Sequence, residues 1–321
     1  MLDENLLYIF VGYKKMRYRQ RRKSKSKNIY KAKLIILCTS IALLVIAGSA
    51  FMAQRVFMYV NTVQAKDNET ELGDNSSTNI QNNSNAMNVQ NDVPYDTPEF
   101  VQKYLDQQMK GEMPDGADGV KVVYLTFDDG PSETVTPQIL DILKSENVHA
   151  TFFVVGKAVD SSAENKELVK RIISEGNAIG IHSYSHNYNY LYPNNVVNVN
   201  NFTEEVDRTN KSLKSVLGDE FVTKAIRFPG GHMTWKGTDA LNSYFEENGY
   251  SYIDWNALSR DAEGPKKKSE QLVNEAIKTA GTKQKVILLM HDTYGKEETA
   301  KSLKDIIQYF KNNGYEFRVI K

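Results

Sequence analysis

The chain has 321 residues, 40% apolar and 25% charged, the composition of an ordinary globular protein. Its single cysteine, Cys38, excludes a disulfide framework and any thiolate-held metal in the rest of the chain. The net charge of zero hides a split, because residues 1–33 hold eleven Lys/Arg against only Asp3 and Glu4, which leaves residues 34–321 acidic by the same amount.

The basic head, residues 1–33, reads as a cytoplasmic topology signal beside anionic lipid. No folded basic module accompanies it, so no nucleic-acid partner is expected. Residues 34–53 (LIILCTSIALLVIAGSAFMA) carry no charge. Twenty residues at helical rise span roughly 30 Å, the hydrocarbon thickness of a bilayer. The positive-inside rule then places residues 54–321 outside the cell, behind a single-pass anchor in the cell membrane. A cleaved signal peptide is the alternative, although its apolar core usually runs only about 7–15 residues. Residues 54–95 form a polar linker. The stretch 66–92 is dominated by Asn, Asp, Ser, Thr and Gln and cannot bury enough apolar surface to offset its ordering entropy.

Asp96-Thr97-Pro98 starts a short amphipathic helix within a lead-in, residues 96–117, because Pro is favoured in the first turn. From residue 118 onward, apolar strands alternate with amphipathic helices. Strands are expected at 122–127, 150–156, 178–183, 225–228, 250–257, 286–291 and 315–320. Helices are expected at 136–146, 166–175, 204–217, 236–248, 271–280 and 302–313. This α/β alternation implies parallel strands buried on both faces. Seven units in about 200 residues fit a barrel, with a doubly wound open sheet as the alternative.

The polar chemistry keeps phase with this pattern. Asp128, Asp129, His182, Arg227, Asp261 and His291 all stand at or just past the C-terminal ends of expected strands. In a parallel barrel those ends share the face on which active sites form. Asp128-Asp129-Gly130-Pro131 bends at once, so both carboxylates can converge on one site although neighbouring strand side chains point to opposite faces. His182-x-x-x-His186 places two imidazoles on one side of a helical turn. One carboxylate and two imidazoles, with a spare carboxylate beside them, make a catalytic divalent-metal site with an open coordination position.

The ordered motifs Thr126-Phe127-Asp128-Asp129-Gly130, His182-x-x-x-His186, Arg227-Phe228-Pro229-Gly230-Gly231, Trp255 with Asp261 six residues on, and Leu289-Met290-His291 resemble a known family. They are similar to the polysaccharide deacetylases of carbohydrate esterase family 4, the NodB-homology domain, and among these to membrane-anchored peptidoglycan N-acetylglucosamine deacetylases. The resemblance covers residues 118–321, the catalytic domain. It implies a distorted (β/α)7 barrel and metal-dependent hydrolysis of N-acetyl groups, with Zn2+ as the usual metal. It further implies Asp129, His182 and His186 as metal ligands, Asp128 as general base and Arg227 as the residue that orients that base. The Gly230 backbone N–H would bind the oxyanion, His291 would act as general acid, and Asp261 would tune that acid.

One departure is visible. Many members follow the Asp of the fourth motif with Trp, which walls the acetyl pocket, whereas Asp261 is followed by Ala262. Trp255 and Tyr294 are the candidates to replace that wall. The 187–202 stretch is expected to be a long loop whose Tyr188, Tyr190 and Tyr192 suit a sugar-binding rim. His232 is expected to be an exposed loop residue outside the ligand set. The partner implied is a cell-envelope polysaccharide, with no obligate protein partner expected. An O-acetyl polysaccharide esterase, a chitooligosaccharide deacetylase and a non-catalytic wall-binding module are the alternatives.

Overall fold

The computed structural model describes residues 93–321. The expected cytoplasmic segment, the membrane span and most of the linker therefore lie outside the described residues. No helix among the described residues is long and apolar enough to cross a membrane. The chain joins the fold slightly earlier than expected. Val93 is buried, and the short strand β1 (Tyr95–Asp96) pairs in parallel with β10 (Val319–Ile320), so residues 93–95 belong to the domain rather than to the linker. Asp96 fixes this junction by accepting hydrogen bonds from Tyr124 Oη at 2.6 Å and Arg318 Nη1 at 3.1 Å.

The main sheet is parallel. Its order is β6 (Ser251–Tyr252), β5 (Ala225–Ile226), β4 (Ala178–Ile181), β3 (Thr151–Val154), β2 (Val122–Asp128), β8 (Lys285–His291) and β7 (Ala257–Leu258), with β9 (Glu316–Phe317) also paired to β2. β2 is buried along its whole length, as a strand covered on both faces must be. The expected strand 250–257 is instead two strands. Its first half pairs with β5 and its second half with β8, so one run of chain forms both edges of the sheet. Five peptide units separate Tyr252 from Ala257, which holds the edges within about 18 Å. The sheet is thereby curled, consistent with a (β/α)7 barrel, and it closes through a chain segment rather than a hydrogen-bonded ladder. The expected strand 315–320 is likewise split, between β9 and β10.

Two apolar layers follow from the curl. Inward residues Val122, Tyr124, Phe153, Ala225, Ile253 and Ile287 pack with Ile320 on the inside of the sheet. Helix α1 (Pro98–Met109) adds Val101 and Leu105 to this cluster, so the lead-in helix is part of the core. Thr97 caps it, its Oγ1 accepting from Phe100 N at 3.3 Å. The outer layer joins the sheet to α2 (Thr136–Ser145), α4 (Ala163–Ser174), α6 (Val199–Leu217), α8 (Ser269–Ala280) and α9 (Glu297–Asn312), which cover it. The remaining helices are single turns or short, namely α3 (Gly156–Val159), α5 (Tyr188–Leu191) and α7 (Asn242–Asn248). The 187–202 stretch is thus not a structureless loop. It contains α5 and a 3-10 turn at Pro193–Asn195, and α6 starts at Val199 rather than 204.

Candidate metal centre and acid-base site

The strand register sets the height of each functional group. Asp128 pairs with His291 across β2 and β8, and with Phe153 across β2 and β3. His182 directly follows β4, and Arg227 directly follows β5, whose Ile226 is paired with Ile181. Asp261 comes three residues after β7. All six residues expected at one face are therefore there. A cleft of about 310 Å³ gathers Asp128, Asp129, His182, His186, Gly230, Asp261 and His291.

Asp129 leaves the strand with a left-handed backbone (φ 72°), which turns its carboxylate back beside that of Asp128. Its Oδ1 is buried and has no hydrogen-bond partner. His182 Nε2 approaches that oxygen at 3.3 Å and His186 Nε2 at 3.2 Å. One ligand atom from each of the three residues lies within 4.8 Å of the others. An orphaned buried carboxylate oxygen facing two imidazole nitrogens is what a divalent cation would satisfy, so the donor set fits a metal. The His182 ring is oriented by its own second nitrogen. Nδ1 lies 2.8 Å from the Arg227 carbonyl, which can only accept, so Nδ1 carries the proton and Nε2 is free to ligate. Burial opposes ionisation of Asp129, but contact with His182 and the charges of the neighbouring imidazoles hold its pKa well below the carboxylate range. Burial also disfavours a charged His182, and the charges of Asp128 and Asp129 outweigh that and raise its pKa. Burial together with His182 lowers that of His186.

The His pair does not ride on a helical turn as its spacing suggests. It sits on a bend in which Ser183 and His186 adopt left-handed backbones, φ 60° and 54°. Glu205 of α6 holds this bend. Its buried carboxylate accepts from Tyr184 N at 3.1 Å and Ser185 N at 3.0 Å, and also from the Ser185 hydroxyl. Sequence reasoning missed Glu205. The signal was a carboxylate on the apolar face of α6, which also carries Phe202, Val206, Thr209 and Leu213.

Arg227 is fully buried. Its Nη1 donates to Asp128 Oδ1 at 2.8 Å and to Thr126 Oγ1 at 2.7 Å, and its Nε donates to the Ile253 carbonyl at 2.9 Å. Nη2 donates to the Asp254 carbonyl at 3.3 Å. Arg227 thus contacts the Asp128 carboxylate directly. Asp261 similarly holds His291, with Oδ1 at 2.8 Å from Nδ1 and Oδ2 accepting from His291 N at 2.9 Å and Thr299 Oγ1 at 2.8 Å. Burial alone would lower the His291 pKa, but Asp261, with the charges of Asp128 and Asp129, raises it to about 9. Gly230 has φ 81°, and among the described residues its N–H donates to no protein group.

Of the two candidate replacements for the missing aromatic wall, Trp255 lines the cleft beside Ala262, whereas Tyr294 is exposed and lies outside it. Tyr188 faces the cleft. Tyr192 is core, stacked on Trp235 at 4.0 Å, and Tyr190 donates to Glu204 at 2.8 Å. His232 does not line the cleft that holds Asp129, His182 and His186, and it is half-buried, stacked flat on Tyr252 at 3.9 Å. Leu289 of the last motif also lines the cleft, as do Leu258, Arg260 and Glu263, and sequence reasoning singled out none of these last three.

Comparison with known proteins gives this geometry its family. The polysaccharide deacetylase family profile matches residues 115–253. A putative polysaccharide deacetylase of Bacillus subtilis, YheN, is 30% identical over 296 residues, covering 90% of each chain. The chain belongs to the polysaccharide deacetylases. These are metal-dependent hydrolases that act on the amide bond of N-acetyl groups. The deacetylase is also 36% identical over 219 residues to the peptidoglycan-N-acetylglucosamine deacetylase PgdA of Listeria monocytogenes, covering 68% of this chain and 42% of that one. Among solved structures, a carbohydrate esterase family 4 (CE4) esterase of Streptococcus mutans superposes on the deacetylase with a TM-score of 0.64 and 38% identity, over 71% of this chain and 92% of that one.

Proposed function

We propose that this deacetylase removes N-acetyl groups from N-acetylglucosamine of peptidoglycan, using Zn2+, from a position outside the cell on a single-pass anchor formed by residues 34–53. The observation that carries the chemistry is the pairing of two opposite devices in one cleft. Asp128, held by Arg227, can take a proton, and His291, held by Asp261, can give one, with the Asp129–His182–His186 cluster in the same cleft. Two imidazoles and one carboxylate suit zinc. The substrate reading draws on the peptidoglycan relative from Listeria and on the outward placement implied by the basic head and apolar segment.

A bound divalent cation would polarise the acetyl carbonyl and acidify the attacking water. Asp128 accepts the proton of that water as its oxygen bonds to the acetyl carbon. The Gly230 N–H donates to the carbonyl oxygen as it gains negative charge. His291 then gives its proton to the nitrogen as the C–N bond breaks, because an amine anion is a very poor leaving group. The products are acetate and a free amino sugar.

The test is acetate release by the full chain in detergent, metal-stripped and then resupplied with zinc. N-acetylated peptidoglycan, chitin oligomers and acetylxylan are compared. Zinc-dependent release from peptidoglycan is expected. Release from chitin or acetylxylan alone overturns the substrate assignment, and no release from any of them overturns the enzymatic reading in favour of a wall-binding module.

A further inference from the structure

Tyr188 is the only tyrosine among the residues lining the metal cleft. Asn187 fixes its backbone by capping α5, with Oδ1 accepting from Asn189 N at 3.1 Å and Tyr190 N at 3.3 Å. The ring lies between the His186 ring, centroids 5.2 Å apart, and Trp235, 5.3 Å away. Trp235 is itself held by stacking on Tyr192 and by donating Nε1 to the Pro229 carbonyl at 2.8 Å. The phenol is therefore placed by packing rather than by a bond of its own.

Its hydroxyl lies 3.5 Å from where a Cβ on Gly230 would stand. Among the described residues that hydroxyl makes no hydrogen bond, whereas Tyr124, Tyr190, Tyr244 and Tyr315 all donate to an oxygen at 2.6–2.9 Å. The Gly230 N–H beside it is also free. Two free donors thus stand together at the metal face of one cleft.

We infer that the Tyr188 hydroxyl is a second oxyanion donor, acting with the Gly230 N–H on the oxygen of the attacked acetyl group. This deepens the deacetylase reading and rests on it. The attacked carbon becomes tetrahedral as water oxygen bonds to it, and the carbonyl electron pair moves onto oxygen. Tyr188 stabilises that charge through its hydrogen bond and loses no proton. A donor of this kind acts on the transition state more than on bound substrate. Its removal therefore lowers kcat and leaves KM nearly unchanged.

The test compares wild type, Tyr188→Phe and Tyr188→Leu as zinc-loaded full-length enzyme on N-acetylated glycan. Tyr188→Phe keeps the ring and its packing. It is expected to lower kcat by about 10²- to 10³-fold, with KM within about twofold and zinc content unchanged. Binding of a methylphosphonamidate analogue of the tetrahedral species should weaken by the same factor. Tyr188→Leu should add a rise in KM through loss of the ring. A Tyr188→Phe enzyme with wild-type kcat overturns the inference, as does a loss confined to KM, which would make Tyr188 a sugar-stacking residue only. Lost zinc in Tyr188→Phe also overturns it, by assigning the hydroxyl a structural role. An inactive wild type, by contrast, overturns the deacetylase reading itself.

Discussion

The acid is the step most open to a quantitative test, and Asp261→Asn isolates it. Burial would push His291 below its ordinary pKa of 6.5, yet Asp261, Asp128 and Asp129 bring it to about 9. That rise corresponds to about 3 kcal/mol in favour of the imidazolium. The substitution keeps shape and an acceptor for Nδ1 but removes the nearest charge, 2.8 Å away. If Asp261 supplies most of the rise, the alkaline limb of kcat moves from near pH 9 toward about pH 7. At pH 8 the protonated fraction of His291 then drops from about 0.9 to about 0.1, a tenfold loss of rate, while at pH 6 the two proteins differ by less than about twofold. A bound divalent cation offsets the Asp128 and Asp129 shares and moves both limbs down together, so the separation between the two profiles, rather than the absolute position of either limb, reports Asp261. The assay is kcat against pH from 5.5 to 10 on zinc-saturated enzyme. The amide of the variant also faces two donors, His291 N and Thr299 Oγ1, which costs about 1–3 kcal/mol of stability, so the melting temperature is measured alongside. Equal loss at pH 6 and pH 8 would refute the tuning argument and leave only a structural role.

Two further substitutions separate the remaining parts. Asp128→Asn should retain zinc by elemental analysis, since Asp128 is outside the ligand triad, and should lower kcat by about 10²- to 10⁴-fold; an active variant would remove Asp128 as the base. Glu205→Gln should weaken zinc binding by about 10- to 100-fold in a competitive chelator titration, because an amide cannot accept from Tyr184 N, Ser185 N and the Ser185 hydroxyl together. Wild-type zinc affinity in that variant would mean that the His182–His186 bend supports itself.

Most of the site was legible because metal and acid-base chemistry restricts residue types so severely. Asp128, Asp129, His182, Arg227, Asp261 and His291 all ended strands in the sequence pattern, and parallel strand ends must share a face. What stayed hidden was set by tertiary packing. Residues 250–257 are continuously strand-like in composition, but the curl of the sheet gives their two halves different partners, which no local propensity encodes. The His-x-x-x-His spacing matches a helical turn, yet a buried carboxylate nineteen residues beyond His186 pulls the segment into a bend instead. The three tyrosines after His186 looked equivalent, and only the position of Trp235 decides that Tyr192 is core and Tyr188 faces the cleft.

The two halves of the site are not independent, and Arg227 is the reason. A fully buried guanidinium must have its donors satisfied, because an uncompensated buried cation costs several kcal/mol. Among the described residues only one carboxylate, that of Asp128, pairs with it, and the rest of the compensation comes from Thr126 and the carbonyls of Ile253 and Asp254. Those partners belong to β2 and to the segment that closes the sheet, so the position of the proposed base is tied to the closure of the fold. The carbonyl of the same residue fixes the tautomer of His182, a proposed metal ligand. Any displacement of Arg227 therefore moves the base and rotates a ligand together. A planar, forked cation can meet this set of directions at once, which a point-charge ammonium cannot. This accounts for an arginine, rather than a lysine, at the place where strand β5 meets the active face.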